Sequence, residues 1–150
     1  MISKIEQSWI DTVFLALVIW REARGETVIG QRGVAYSILN RVEKPSWWGN
    51  DIQSVLFKKW QYSSITDPKD PQLTKWPASH NEAWQHCFMV AVDVISHSVE
   101  NPVIGADSYF DISIPNPKWA TADKFVKQIG RIKFYNIDGD KNENLVKSNL

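Results

Sequence analysis

The 150-residue sequence predicts a mainly α-helical domain of about five helices with a small two-strand element. Three observations predict it. Apolar residues recur at three- and four-residue spacing over several long stretches, strand-like patterns are confined to two short pieces near the C-terminus, and the length suits one domain with a real core.

Helix one is expected from residue 8 to residue 24. It is built around residues 13–20, an uncharged apolar run of eight, and Gly25 is its stop. A second helix, 30–42, follows from Val34, Ile38 and Val42 at four-residue spacing beside Ala35 and Leu39. Arg41 and Lys44 suit its C-terminal end, and Pro45 closes it. A short third helix is capped by Asn50 or Asp51 and carries Ile52, Val55, Leu56 and Phe57. For the fourth, Ser79 and Glu82 give an S-x-x-E capping box ahead of Trp84, Cys87, Phe88, Ala91, Val94 and Ile95, with an end near Ser98. A fifth is expected over 121–128, with Gly130 beyond its end, and the strand-like pieces are 108–114 and 132–137.

Residues 58–78 contain Pro68, Pro71 and Pro77 and no periodicity. A small domain rarely keeps so long an irregular stretch unless it serves a site, so this loop, with Gln61, Tyr62, Ser63 and Asp67, is a candidate lid or groove wall. The polar stretch 138–150 reads as a loose tail to a domain over 1–137. Its Asp138-Gly139-Asp140-Lys141-Asn142-Glu143 lacks the spacing of a calcium loop.

Composition excludes several functions. Seventeen basic residues balance seventeen acidic ones, which argues against a nucleic-acid partner. Cys87 is the single cysteine, so there is no disulfide framework, and its apolar helical setting makes it a small buried thiol. His80, His86 and His97 lack the three- or four-residue spacing that would put metal ligands on one helical face. There is no G-x-S-x-G, P-loop or G-x-G-x-x-G. No metal and no cofactor is expected. The apolar run is too short for a membrane span, and it leads into charged residues with no small-residue cleavage site. The chain is therefore expected to be made in the cytoplasm without a signal peptide and without stable membrane insertion, and to be a monomer.

Glu22 is the most informative residue. The run 13–20 is followed at once by Arg21, Glu22, Arg24 and Glu26, so a carboxyl is carried to the edge of a core. Desolvation there raises its pKa and lets it keep a proton near neutrality, as a general acid must. The alternative is a solvated helix end on which Glu22 pairs with Arg21 or Arg24. Tryptophan is in excess, eight against four tyrosines and six phenylalanines. Trp20 and Trp84 fit helical cores. Trp47, Trp48, Trp60, Trp76 and Trp119 lie beside Pro, Gly, Lys or Asn, and are either groove walls that stack on sugar faces or staples for long loops.

Taken in order, Trp20-x-Glu22-Ala23-Arg24-Gly25-Glu26, Gly30-Gln31-x-Gly33-Val34-Ala35-Tyr36-Ser37-Ile38-Leu39-Asn40-Arg41-Val42, Gln61-Tyr62-Ser63, Gly105-Ala106, Pro117-x-Trp119-Ala120 and Ile129-Gly130-x-x-x-Phe134-Tyr135 resemble the SleB-type cell wall hydrolases, the spore-cortex-lytic enzymes and their phage relatives. The resemblance spans roughly residues 13–135. It implies a lysozyme-like α+β fold with a cleft between lobes, and cleavage of peptidoglycan strands between N-acetylmuramic acid and N-acetylglucosamine. It implies Glu22 as the catalytic acid, with Gln61, Tyr62 and Ser63 on a loop beside the cleft and Tyr109 near the other wall. Trp119 falls on the Pro-x-Trp-Ala motif, as a further substrate contact. The sequence departs from the family where histidines often follow the Gly-Ala pair, here Asp107, Ser108, Tyr109 and Phe110, and at Ile132.

The motif supplies few carboxylates. Glycosidases ordinarily pair a proton donor with a second carboxylate. Glu26 is near in sequence, but Gly25 is expected to break the helix between them. Glu26 either touches substrate or serves as a cap or ion-pair partner of Arg32. A single acid suffices if the muramic C6 hydroxyl attacks its own C1. Lytic transglycosylation is therefore the first expectation and hydrolysis the second, with a non-catalytic glycan-binding module as a different class. Small size and the lack of an export signal resemble a phage endolysin, which reaches the wall, in the host periplasm, through a membrane lesion made by another protein.

Overall fold

In a computed structural model that describes residues 4–138, the elements follow the order α1 (Lys4–Ala23), α2 (Val28–Glu43), α3 (Ile52–Leu56), α4 (Ser63–Thr66), α5 (Glu82–Ile95), β1 (Ser108–Asp111), a 3-10 turn (Ala122–Lys124), β2 (Phe125–Ile129) and β3 (Ile132–Tyr135). The tail beyond Asp138, with the sequence discounted above as a calcium loop, lies outside the described residues. Leu15 to Trp20 are buried without a break. A helix that is apolar on every side has to be enclosed, and α2 and α5 pack against α1 to enclose it. None of the described helices is long and apolar enough to cross a membrane.

Helix α2 starts where Thr27 accepts the Gly30 N–H on its hydroxyl at 3.2 Å, four residues after α1 has ended at Ala23. The fourth helix expected from the sequence forms as α5, beginning at Glu82, but its cap is Asn81, whose side chain accepts the Trp84 N–H at 2.9 Å. Ser79 lies too early, and its carbonyl accepts from the Gln85 side chain instead. The capping box forms at Asp51 and Ser54, at the head of α3. Helix α5 stops at Ile95, short of Ser98, and His97 beyond it is left-handed with φ +55°. Cys87 is buried on α5, and burial pushes its thiol up to about 11.

The expected fifth helix over 121–128 is replaced by the 3-10 turn and strand β2, and the sheet has three antiparallel strands in the order β1-β3-β2. Gly130, with φ +54°, and Arg131 form a two-residue hairpin between Ile129 and Ile132. That turn feeds β2 back along β3, and its ladder bonds outweigh the weak helical preference of Phe125 and Val126.

Two contacts fix the sheet and the preceding loop to α2. Gly33 lies under the Phe134 ring; a Cβ there would come within 2.7 Å of Phe134 Cζ. Asn40 donates through Nδ2 to the carbonyls of Val103 (3.1 Å) and Ala106 (2.8 Å) and accepts from Asn101 Nδ2 at 3.0 Å. Gly105 takes φ +84° inside the loop that Asn40 holds.

Candidate active site

Glu22 sits one residue before the end of α1, and its carboxyl is held from both sides. Ser64, buried on α4, donates its hydroxyl to Oε2 at 2.9 Å, and Tyr109 on β1 donates to Oε1 at 2.9 Å. Burial pushes the carboxyl up to about 7; the two hydrogen bonds pull the other way, and the charge of Asp70 adds to the rise. Burial and the neighbouring Glu22 hold the Tyr109 phenol well above its ordinary range, so it stays a donor. The two arginines that could have paired with Glu22 are engaged elsewhere. Arg21 donates to the carbonyls of Ser64 (2.8 Å) and Lys75 (3.1 Å). Arg24 lies over the Trp20 ring and donates to the Trp20 carbonyl and the Gln72 side chain.

The carboxyl opens into a cavity of about 380 Å³ lined by Glu22, Arg41, Trp47, Trp60, Gln61, Tyr62, Ser108, Tyr109, Trp119, Ile137 and Asp138. Arg41 organises one wall. Its Nε donates to the Asp107 carbonyl at 2.6 Å, and Nη1 donates to Gln61 Oε1 at 3.2 Å. Its guanidinium lies 5.1 Å from the Trp48 ring centre and 5.3 Å from that of Tyr62, a desolvated cation held by aromatic faces. The Asp107 carboxylate accepts the backbone N–H groups of Ile137 and Asp138, each at 2.9 Å, and so ties the end of the described chain to the rim. Trp47 Nε1 donates to Asp138 at 3.2 Å.

Of the residues singled out in the sequence, Glu22, Gln61, Tyr62, Tyr109 and Trp119 share this cavity, while Glu26 and Ser63 do not line it. Glu26 lies against the hairpin turn, where a Cβ on Gly130 would come within 2.7 Å of its Oε2. Ser63 is exposed and donates its hydroxyl to Asp70. Its neighbour Ser64 reaches Glu22. Of the five candidate wall tryptophans, Trp47, Trp60 and Trp119 line the cavity, Trp48 is core, and Trp76 is exposed with the Arg21 guanidinium 4.7 Å from its ring centre. Sequence reasoning passed over Ser64, Arg41 and Asp107. For Arg41 the available signal was its place in the Ile-Leu-Asn-Arg-Val run, one residue after the loop-holding Asn40.

Trp60 stands apart from the other lining residues. It is 78% exposed and has φ +72° at the third position of a turn closed by Gln61 N–H to the Lys58 carbonyl at 3.2 Å. Glycine favours that position, and a bulky residue there costs on the order of 1–3 kcal/mol. Among the described residues its ring meets Lys59 Nζ, 4.9 Å from the centroid, a contact worth roughly 0.5–1 kcal/mol at an exposed site.

The chain also resembles known proteins in sequence and in fold. The sequence model of a family described as cell wall hydrolase matches residues 25–135, starting just after Glu22. A spore cortex-lytic enzyme of Halalkalibacterium halodurans is 28% identical over 126 residues, 84% of this chain and 34% of that protein. One from Bacillus cereus is 28% identical over 121 residues, 81% of this chain and 42% of that protein. The chain thus spans less than half the length of these relatives. The catalytic domain of the germination-specific lytic transglycosylase SleB from Bacillus anthracis superposes with a TM-score of 0.67 at 27% identity, over 90% of this chain and 99% of that domain. That of Bacillus cereus SleB gives 0.65 at 28% identity, over 86% and 90%.

Proposed function

The chain belongs to the cell wall hydrolase family, and on that premise we propose that it cleaves peptidoglycan glycan strands between N-acetylmuramic acid and N-acetylglucosamine as a lytic transglycosylase, with Glu22 as its acid and base. The observation that carries this reading is the Glu22 carboxyl itself, raised to about 7 and aimed into the cavity by Ser64 and Tyr109. A group with that affinity for protons is divided between its acid and base forms near neutrality, which suits it to give a proton and take one back.

Glu22 protonates the glycosidic oxygen as the bond to muramic C1 breaks. The C6 hydroxyl of the same sugar then bonds to C1 and returns its proton to the carboxylate, leaving a 1,6-anhydro end. No water is consumed. Ser64 and Tyr109 hold the carboxylate through both transfers. Hydrolysis would need a second carboxylate to direct water. Among the described residues Asp138 is the other carboxylate lining the cavity, and it accepts the Trp47 indole N–H.

The test is turbidity clearing of isolated cell walls by wild type and Glu22→Gln, followed by mass spectrometry of the released muropeptides. Loss of clearing with wall binding retained, and wild-type products one water lighter than reducing ends, are the expected results. Clearing by both proteins would remove Glu22 from the chemistry, and reducing-end products would replace transglycosylation by hydrolysis. The same reading places the action at the bacterial wall in the manner of a phage endolysin. Cytoplasmic expression should then lyse cells only after the inner membrane is permeabilised.

A further inference from the structure

Trp60 contributes little to the fold that holds it. Its side chain is largely in water, its backbone takes a conformation that glycine would take more easily, and its contact with Lys59 is too weak to offset that strain. Strain kept at an exposed aromatic residue on the lip of a cavity calls for a ligand that uses the ring. Trp60 lines the same cavity as Glu22, but it is far more exposed than Glu22, which puts it at the mouth. Trp47 and Trp119 also line that cavity. Three indoles around an opening offer flat apolar faces with polar edges, which match the CH-rich face of a pyranose ring with its equatorial substituents pointing outward.

We infer that Trp60 forms a sugar-stacking subsite at the mouth of the cavity, which takes an N-acetylhexosamine ring of the bound glycan strand. The inference rests on the proposed glycan-cleaving reading and adds to it a specific binding position. The left-handed turn is what stands the indole away from the core, so Lys58, Lys59 and Gln61 position the platform. A glycine at this position relaxes the turn and deletes the platform in one change. Stability and binding are therefore driven in opposite directions.

The experiment uses the full chain in a Glu22→Gln background and titrates chitohexaose by calorimetry beside thermal melting. Adding Trp60→Gly is expected to weaken chitohexaose binding about ten-fold or more with the Tm unchanged or higher. Adding Trp60→Phe instead, which keeps an aromatic face, should stay within a few-fold of the parent. Unchanged affinity on adding Trp60→Gly, or a Tm lowered by several degrees, would make Trp60 a structural residue and overturn the subsite. Failure of the parent Glu22→Gln protein to bind either chitohexaose or isolated cell walls would overturn the glycan reading itself, and the subsite with it.

Discussion

Tyr109 and Glu22 lie 87 residues apart in the chain and meet through a 2.9 Å hydrogen bond from the phenol to Oε1. The contact joins the sheet to α1, because Tyr109 pairs with Phe134 on β3 and Phe134 rests on Gly33 of α2. The aim of the acid thus depends on how the sheet is seated.

Removing that phenol separates the aiming of Glu22 from its acidity. Hydrogen bonds to a charged group are worth about 1.5–3 kcal/mol, so Tyr109→Phe should reduce wall clearing by roughly ten- to hundred-fold. The bond stabilises the carboxylate and pulls its pKa down. Its loss should therefore move the limb of the pH profile that reports Glu22 to higher pH. A rate–pH profile of clearing checks both; an unmoved limb with full activity would exclude Tyr109 from the site.

The raised pKa of Glu22 also has a stability signature. The folded state holds the proton up to about 7, whereas the unfolded chain releases it near 4.5. The folded state therefore binds more protons between those values, and stability falls as pH rises through that window. The cost at alkaline pH is on the order of 3 kcal/mol, an upper figure because the residue keeps some contact with water. Glu22→Gln, which has nothing to ionise, should melt higher than wild type at pH 8, and the gap should close by pH 4.5. Melting curves at the two pH values measure it, and an equal gap at both would contradict the burial argument.

What was legible in the sequence follows from the range of the forces involved. Helices α1, α2 and α5 announce themselves because burial imposes a local period, and Glu22 stands out because a charge directly after a buried run is a local event. Its hydrogen-bond partners were not legible from local pattern: Ser64 and Tyr109 lie 42 and 87 residues away, and Tyr109 came into view only through the family resemblance. Ser63 stands out only through the Gln-Tyr-Ser motif of the resemblance, and a four-residue helix is too short to show that its neighbour Ser64 is the buried one. Strand β2 was misread for the opposite reason: residues 121–128 have no strong preference, and pairing with β3 decides. The three elements that carry acid and donors, α1, α4 and β1, are brought together by contacts that sequence spacing does not encode.

Asn40 tests whether the loop before β1 matters to the site. Its side chain satisfies two carbonyls and one amide of residues 101–106. Asn40→Ala leaves these groups unpaired at roughly 1–3 kcal/mol for each that stays buried. A fall of about 5–10 °C in Tm is expected. Because Tyr109 follows this loop directly, clearing should also decline, even well below the melting temperature. A variant that melts lower but clears normally at low temperature would confine Asn40 to stability.

Gly33 sets two opposing effects against each other. Replacing a mid-helix glycine by alanine ordinarily gains about 1 kcal/mol through helix propensity. Here the new methyl would stand 2.7 Å from Phe134 Cζ, and 3.2 and 3.3 Å from its Cε atoms. Those atoms belong to a fully buried ring. Overpacking in a tight core costs roughly 1–3 kcal/mol, so the clash should win and Gly33→Ala should be net destabilising. Where the ring yields by carrying β3, and with it Tyr109, away from α2, clearing should drop along with stability. Phe134→Leu in the same chain should recover part of the Gly33→Ala loss, and a double-mutant cycle by urea unfolding measures the coupling. Additive effects within about 0.3–0.5 kcal/mol would mean that the helix and the ring do not meet as described.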